Sequence, residues 1–547
     1  MTNQEPTIHD QTNLLPKGRL VIVFCALASA LLISFVDQNS IGVALPTIGR
    51  DLDSCRTIVW AGTSSMIANT AFQVLYGRLS DILGRKVILV TCICLLALGD
   101  VLCSFARTGP QLYAFRGISG LANGGIIALT NIVVSDITTL QQRGKYQGIL
   151  GSCVGLGNTI GPFLGAAFTR SVTWRATFWF IAPLAIGVAV MLYVLLPPQT
   201  LPPEPTMDKL KKIDYVGGIL SSFGTILLLI PVSGIGTQFE TTDPMVIGMI
   251  TVGSVFLAAF LFYEFKFAKL PMFPLRLFNN PALAALMTQN FLIGVAYFSL
   301  LYYLPIFYQS ARQMSLMATA ALILPLVIPQ ATASALSGQY TTRMKRYGEV
   351  IWTGYICWTI AAALQCTFTR TTPTVAIVFI LAMEGIGVGL VFQPTLVAAQ
   401  AHSPKKDRAV IISSRNFIRS LGAAVGLATS GAIFSNTLVD KITDVIPADV
   451  AQKMRRSIFT MPEISNLTGT QQVAVLNVYA QASRTVSYLW VGAITVCLAL
   501  MIFIKDQGLE RKDEKTGERE DDKVATGPNT PDSVGSRETV VTHVARV

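Results

Sequence analysis

The chain has 547 residues, 52% of them apolar and only 13% charged, and its mean hydropathy is +0.53. A soluble domain is about one-quarter charged, so composition argues against a soluble enzyme, a disordered scaffold and a nucleic-acid-binding protein alike. The formal charge of +11 then belongs to loops beside a membrane, where Lys and Arg gather on the cytoplasmic side.

Residues 1–19 are polar and end on Lys17 and Arg19. The apolar run that follows is too long for a cleaved signal peptide and lacks a small-residue cleavage site. Continuous apolar runs predict spans at 20–41, 58–77, 87–105, 112–135, 146–168, 176–196, 215–234, 244–263, 282–308, 316–337, 350–368, 374–397, 409–434 and 487–504. At about 20 residues per crossing these are about fourteen helices. The runs do not alternate, so a barrel is not expected. With the N-terminus inside, most Lys and Arg of the short loops fall on the cytoplasmic side, which predicts two cytoplasmic termini. The long loop 435–486 then lies outside, with room for a short surface helix. It holds the only N-x-[ST] sequon, Asn466-Leu467-Thr468, and Asn466 is the predicted glycosylation site. Residues 505–547 turn abruptly charged and Gly/Pro/Ser-bearing, and are predicted to be disordered.

A faint repeat relates Gly77-Arg78-Leu79-Ser80-Asp81 … Arg85 to Gly338-Gln339-Tyr340-Thr341-Thr342 … Arg346. Both segments follow the second span of a six-span set. The expected domains are therefore a cytoplasmic N-terminus 1–19, a six-helix bundle 20–196, a linker 197–281 carrying inserted helices 7 and 8, a second bundle 282–504 and a tail 505–547. Parallel halves about a midplane site are a common plan of secondary transporters.

Several chemistries have no residues to run on. None of the three histidines lies in an apolar segment, so neither an intramembrane histidine relay nor a metal site is expected. Eight of the nine cysteines lie in apolar runs and read as packing residues. No G-x-x-x-x-G-K-[ST] occurs, so nothing supports a nucleotide-driven pump. The glycine runs Gly155–Gly161 and Gly385–Gly389 follow no strand and read as helix packing.

The segment Gly77-Arg78-Leu79-Ser80-Asp81-Ile82-Leu83-Gly84-Arg85-Lys86 resembles the loop 2–3 signature of the major facilitator superfamily, G-x-L-x-D-x-x-G-R-K. Physically, Gly77 and Gly84 would permit a tight turn, and Asp81 could pair with a cation or a helix N-terminus of the opposite half. Gly77, Arg78, Asp81, Gly84 and Arg85 are thus the expected inner gate. Three further segments look like the fourteen-helix drug:proton antiporter branch. They are Asp37-Gln38-Asn39-Ser40 … Ala44-Leu45-Pro46, Arg116-Gly117-Ile118-Ser119-Gly120 with Ser119 where the branch usually has glutamine, and Gly157-Asn158-Thr159-Ile160-Gly161-Pro162-Phe163-Leu164-Gly165-Ala166. Gly157, Gly161 and Gly165 make a stripe for close helix packing, and Pro162 loosens the backbone there, so this segment is the expected hinge. The resemblance implies an all-α membrane protein of the major facilitator fold, two six-helix bundles plus an inserted pair.

Charges inside a membrane need a reason. The carboxylates deep in the spans are Asp37, Asp100 and Glu384, and Arg116 is the clearest buried cation, with Arg415 and Arg419 in span 13. Asp37 and Arg116 fall at matching depth and could pair. Burial favours a protonated carboxylate and a nearby cation favours the ionised form, so Asp37, Arg116, Asp100 and Glu384 are the candidate proton-coupling residues. Gln73, Asn123, Asn290, Tyr297, Tyr302 and Gln393 are candidate cavity residues, since aromatic walls with scattered amides suit bulky organic solutes. The expected function is proton-coupled efflux of drugs, toxins or secondary metabolites by alternating access. It needs no cofactor beyond the proton gradient, no enzyme chemistry and no nucleic acid, only a small-molecule substrate, protons and a bilayer, with the chain acting as a monomer. The sequence style resembles fungal members, which implies the plasma membrane. The rivals are a vacuolar importer of basic amino acids, a siderophore or iron-chelate carrier and a non-transporting sensor.

Overall fold

Unbroken apolar runs can satisfy their backbone groups in lipid only as helices, and helices are what the chain forms. The computed structural model describes residues 16–54, 57–197, 211, 213–234, 239, 243–268, 270–404, 407–442 and 469–509. Asn466, residues 443–468 of the expected outer loop, the first 15 residues and the tail beyond 509 lie outside the described residues.

The helices are α1 (Lys17–Asp51), α2 (Trp60–Gln73), α3 (Leu75–Leu83), α4 (Arg85–Ser104), α5 (Gly109–Ile137), α6 (Leu140–Ser171), α7 (Arg175–Leu195), α8 (Tyr215–Gly234), α9 (Pro244–Lys266), α10 (Pro281–Ile306), α11 (Leu316–Met344), α12 (Gly348–Gln365), α13 (Thr374–Ala401), α14 (Arg408–Ile442) and α15 (Gly469–Leu500). A single π-helical turn, Phe307–Ala311, extends α10 just past Pro305. Among the described residues, 12 helices are long and apolar enough to cross a membrane. The other two rods are α2 with α3, interrupted at Val74, and the shorter α12, which carries Glu349 and Gln365 at its ends. Large apolar side chains such as Val190, Val194, Phe223, Phe262, Phe265 and Phe379 point outward. So much exposed apolar surface suits lipid and not water, and the chain is a multi-span integral membrane protein.

Helices α1–α7 pack on one another around Leu27, Leu89, Ile126 and Leu129. Helices α10–α15 pack around Leu286, Tyr355, Trp358 and Val391. The pair α8–α9 packs on itself, and α8 rests against α2 and α14. The two groups meet mainly where α6 crosses α11, and also where α14 touches α2, α3 and α5. Glycines let α6 and α11 approach closely: a Cβ on Gly148 would lie 2.5 Å from the Ser334 carbonyl and 3.0 Å from the Gly338 Cα.

Two elements depart from the sequence expectation. The segment from Gly77 to Leu83 is helical, part of α3, and only Gly84 turns, at φ +97°. Gly77 serves a different need: a Cβ there would lie 2.7 Å from Ser413 Oγ and 3.1 Å from the Ala409 carbonyl of α14. The span expected at 58–77 thus continues, past a break at Val74, as α3 to Leu83. Likewise, α15 begins at Gly469, not near 487, and residues 469–486 are no surface helix. Val475, Leu476, Tyr479, Ala482 and Val486 are buried on one face while their neighbours are polar, so mean hydropathy misses an amphipathic extension packed on α10 and α14.

Candidate functional site

The ends of α3 and α5 carry more charge than lipid tolerates unpaired, and the structure gathers it into one network. Arg85 bridges Asp81 at 2.5 Å and Asp136 at 3.0 Å, and Arg78 lies 3.5 Å from Asp81. Asp136, at the C-terminus of α5, also meets Arg408 of α14 at 3.4 Å. The Ser135 carbonyl accepts from Arg143 at 3.1 Å and from Arg408 at 3.2 Å. Cations at a helix C-terminus are favoured by its dipole, so α5 ends in a natural seat for both arginines. Arg143 further donates to Gln400 of α13, whose amide donates to Ser135 Oγ. Asp407 accepts from Arg276 at 2.8 Å and lies 4.0 Å from Arg78. Asp136–Arg408 and Arg78–Asp407 are thus ion pairs that join the two helix groups. Asp81 has Arg85 and Arg78 of its own segment beside it. Asp136, Arg408, Asp407, Arg143 and Gln400 were not singled out from sequence. The signal available was their position at the matching ends of spans 4, 5, 12 and 13.

Higher in the first group, Asp37 of α1 accepts from Arg116 Nη1 at 2.6 Å and from Asn123 Nδ2 at 2.7 Å. Ser34 Oγ donates to Asn123 Oδ1 at 2.7 Å, and Arg116 Nε donates to the Ala61 carbonyl at 3.3 Å. Ser119 Oγ donates to Asp100 Oδ1 at 3.3 Å. Asp37, Asp100, Arg116, Ser119 and Asn123 have no solvent exposure at all. Asp100 belongs to the same buried cluster, with its Oδ1 held by Ser119, while the guanidinium of Arg116 pairs with Asp37. Asn123, expected in a cavity wall, is instead the second ligand of Asp37.

Directly beside this cluster, α6 packs on α1 through Gly157 against Phe35, Gly161 against Val36 and Asn39, and Gly165 against the Ser40 carbonyl. Pro162 lies inside α6 and cannot donate to the carbonyl one turn earlier. Asn39 donates to Asn158 at 3.0 Å, tying the two helices across the same stretch. The lower part of α6 makes a different seam. Gly144, Gly148, Gly151 and Gly155 face α11 and Gln393 of the other group.

In the second group the polar residues disperse. Glu384 of α13 accepts from Trp358 Nε1 at 3.0 Å and from the Gln365 amide, enclosed between α12 and α13. It joins none of Asp37, Asp100 and Arg116. Tyr297 donates to Gln330 at 2.9 Å and packs edge-on against Phe392. Asn290 turns back on its own helix, donating to the Leu286 carbonyl. Tyr302 is 45% exposed, Gln393 is half-buried at the α6 seam, and Gln73 accepts from Ser420 of α14 at 3.2 Å. Arg415 donates to the Phe392 carbonyl at 2.6 Å and to Thr395 Oγ1 at 3.0 Å. Arg419 lies over the Phe392 ring at 5.4 Å and donates to Asn416 at 3.4 Å.

At the lower edge of this group His402 caps α13, and its Nε2 lies 3.0 Å from the Tyr347 hydroxyl. Burial holds the imidazole below its ordinary range and pushes the Tyr347 phenol up to about 12. Asp506 accepts from the backbone N–H groups of Tyr347 and Gly348 at 3.0 and 2.8 Å, capping α12 from 158 residues away.

A profile of the Major Facilitator Superfamily matches residues 27–427. "Citrate exporter 1" of Yarrowia lipolytica is 49% identical over 512 residues, 93% of this chain and 76% of that protein. "MFS-type transporter clz4" of Cochliobolus lunatus is 36% identical over 507 residues, 92% of this chain and 89% of that protein. Among solved structures, the proton:xylose symporter XylE bound to 6-bromo-6-deoxy-D-glucose superposes with a TM-score of 0.60 at 12% identity, over 92% of this chain and all of that one; this likeness speaks to the fold.

Proposed function

The chain belongs to the major facilitator superfamily and is no enzyme, and on that footing we infer that it exports small organic molecules by alternating access, with fourteen helices crossing the membrane. The observation that carries this reading is one-sided closure. The contacts described between the groups run from the Asp136–Arg408 and Arg78–Asp407 pairs up to Gly155 against α11 and Ser420 against Gln73. Beyond those positions α6 turns its glycines to α1 instead. A pair of bundles held together at one end is what one endpoint of a rocking cycle needs.

In the full cycle the cross-group pairs break, α6 swivels about Pro162, and the parted end closes. The 77–86 end is cytoplasmic in this reading, because Lys and Arg crowd that side, and the plasma membrane is the favoured location. Asp37 is the proton carrier. Arg116 is its state-dependent partner, in contact here at 2.6 Å and parted from it when the halves move. Asp100, in the same buried cluster, assists. The 49% identity to a citrate exporter supports small carboxylates as the exported solutes. The charges do not favour a basic amino acid, since Asp37 is engaged by Arg116 and Glu384 by Trp358 and Gln365.

The test is export of labelled citrate and other organic acids from a host lacking its own exporter, with and without an uncoupler. The expected result is export against a gradient that collapses on uncoupling. Export untouched by the uncoupler would remove proton coupling, and no export of any solute would remove the transport reading.

A further inference from the structure

Two arginines near the midplane have no carboxylate to balance them. Arg116 shows what balance looks like: it is fully buried and bound to Asp37 at 2.6 Å. Arg415 is 2% exposed, yet its partners are a backbone carbonyl and a threonine hydroxyl. Arg419 is half-buried, donates to Asn416 and lies over the face of Phe392, with Tyr297 near it. Among the described residues neither forms an ion pair, and the Nε of each lacks a hydrogen-bond partner. Guanidinium has five N–H donors, and neutral partners use only some of them here. A buried unpaired charge is strongly disfavoured, and two like charges one helical turn apart add repulsion. Such an arrangement calls for an anion, which the described residues do not supply.

The position suits a transported one. Arg419 lies 11 residues into α14, roughly 16 Å along it at 1.5 Å per residue, or about half of a 30 Å hydrocarbon layer. Its neighbour Ser420 makes the contact to Gln73, so the pair stands where the closed seam gives way to the parted one. Tyr297 of α10 lies near Arg419 and hydrogen-bonds Gln330 of α11. The Gln330 Oε1 is taken by Tyr297 at 2.9 Å, which leaves its amide N–H groups as donors for an acceptor-rich guest. Gly294 lets α10 come close to the Arg419 backbone, and Trp358 stacks behind Phe392, so the wall is rigid.

We propose that Arg415 and Arg419, with the Gln330 amide, form the anion-binding half of the solute site, and that it takes a small polycarboxylate. Two guanidinium groups on one helix face match two carboxylates on one short carbon chain, and Arg binds carboxylate in a bidentate fork. The assignment rests on the transport reading for its purpose but not for its binding chemistry.

The experiment uses the full chain in lipid nanodiscs with citrate as the probe, and acetate and the uncharged trimethyl ester of citrate as controls. Wild type should bind citrate well above acetate and should not bind the ester. Arg419→Gln and Arg415→Gln should each weaken citrate binding at least tenfold. Arg419→Lys, which keeps the charge and loses the fork, should fall between them, and serves if a glutamine variant does not fold. Unchanged citrate affinity in every folded variant overturns the site, as does a wild type that binds no polycarboxylate or binds the ester equally. Flux of citrate into proteoliposomes separates the two readings. Binding lost in the variants without wild-type flux fails transport and keeps the site; wild-type flux with unaltered variant binding does the reverse.

Discussion

The two helix groups treat buried charge in opposite ways. In α1–α7 every deep charge is enclosed in one cluster, with Asp37, Asp100 and Arg116 wholly shielded and linked through Asn123 and Ser119. In α10–α15 the deep cations Arg415 and Arg419 stand apart from the deep carboxylate Glu384, which Trp358 and Gln365 engage. A closed, nearly balanced cluster is suited to a proton-coupling role, because any movement of Arg116 changes its balance. An open, unbalanced one is suited to receiving a charged guest. The repeat makes two similar frames, and the difference in charge placement gives them different work.

The largest effect should come from breaking the balance. Arg116→Ala strands two carboxylates, and loss of one partner of a buried pair costs about 3–5 kcal/mol. We expect a sharp fall in thermal stability and no uphill export. Asp37→Asn removes the charge but keeps a polar group beside Arg116 and Asn123. It should fold, bind citrate and permit downhill exchange, yet fail to export against a gradient. Full uphill export by Asp37→Asn would transfer the proton to Asp100 or Glu384 and dissolve the contrast drawn here.

Next comes the mechanical difference along α6. Gly161→Val would press a branched side chain on Asn39 Cβ and the Val36 carbonyl, each 3.0 Å from a bare Cβ. Overpacking of this kind costs about 1–3 kcal/mol. Transport per molecule at the surface should drop far more than the protein level does. Gly155→Val, at the α11 seam, meets the Ala331 Cβ at 2.8 Å and should instead push the closed end apart. The contrast is read by labelling a cysteine placed on α11: more access from the 77–86 side for Gly155→Val, little change for Gly161→Val.

Smaller still is the latch. Arg408→Ala removes the contacts to Asp136 and the Ser135 carbonyl, while Arg85 continues to hold Asp136. The same cysteine should become more accessible, with stability nearly unchanged. Equal access in wild type and Arg408→Ala would show that the glycine seam alone holds the end shut.

How much of this was readable beforehand follows from the range of the interaction. Helix positions came from hydropathy, and the meeting of Asp37 with Arg116 from depth along two antiparallel rods. The partners Asp136 and Arg408 are 272 residues apart, and nothing local marks either one. Gly77 and Gly84 look alike in a motif, but one leaves room for α14 and the other adopts φ +97°. Lys345 adopts φ +56° at the end of α11, the position that corresponds to Gly84 in the repeat, so the turn is shared although the residue is not. The start of α15 was hidden because its buried face is only part of each turn.

The smallest effect separates the lower edges of the two groups. On one side the edge is held by ion pairs among Arg78, Asp81, Arg85 and Asp136. On the other it is held by His402, Tyr347 and Asp506, with the last capping α12. Burial lowers the His402 proton affinity in the folded chain, and the nearby Asp506 only partly offsets it. As pH falls through about 6.5, the unfolded chain therefore binds this proton first, so stability declines with falling pH and is recovered above that value. The Tyr347 phenol remains protonated throughout, with its hydroxyl 3.0 Å from His402 Nε2. His402→Gln should flatten this part of the pH dependence, seen as a smaller drop in Tm between about pH 7.5 and about pH 5.5. Asp506→Ala should lower Tm at both pH values, by about 1 kcal/mol of capping energy, without flattening the slope to the same degree. If His402→Gln and wild type lose the same Tm on acidification, the pH response belongs to the ion pairs of the other edge.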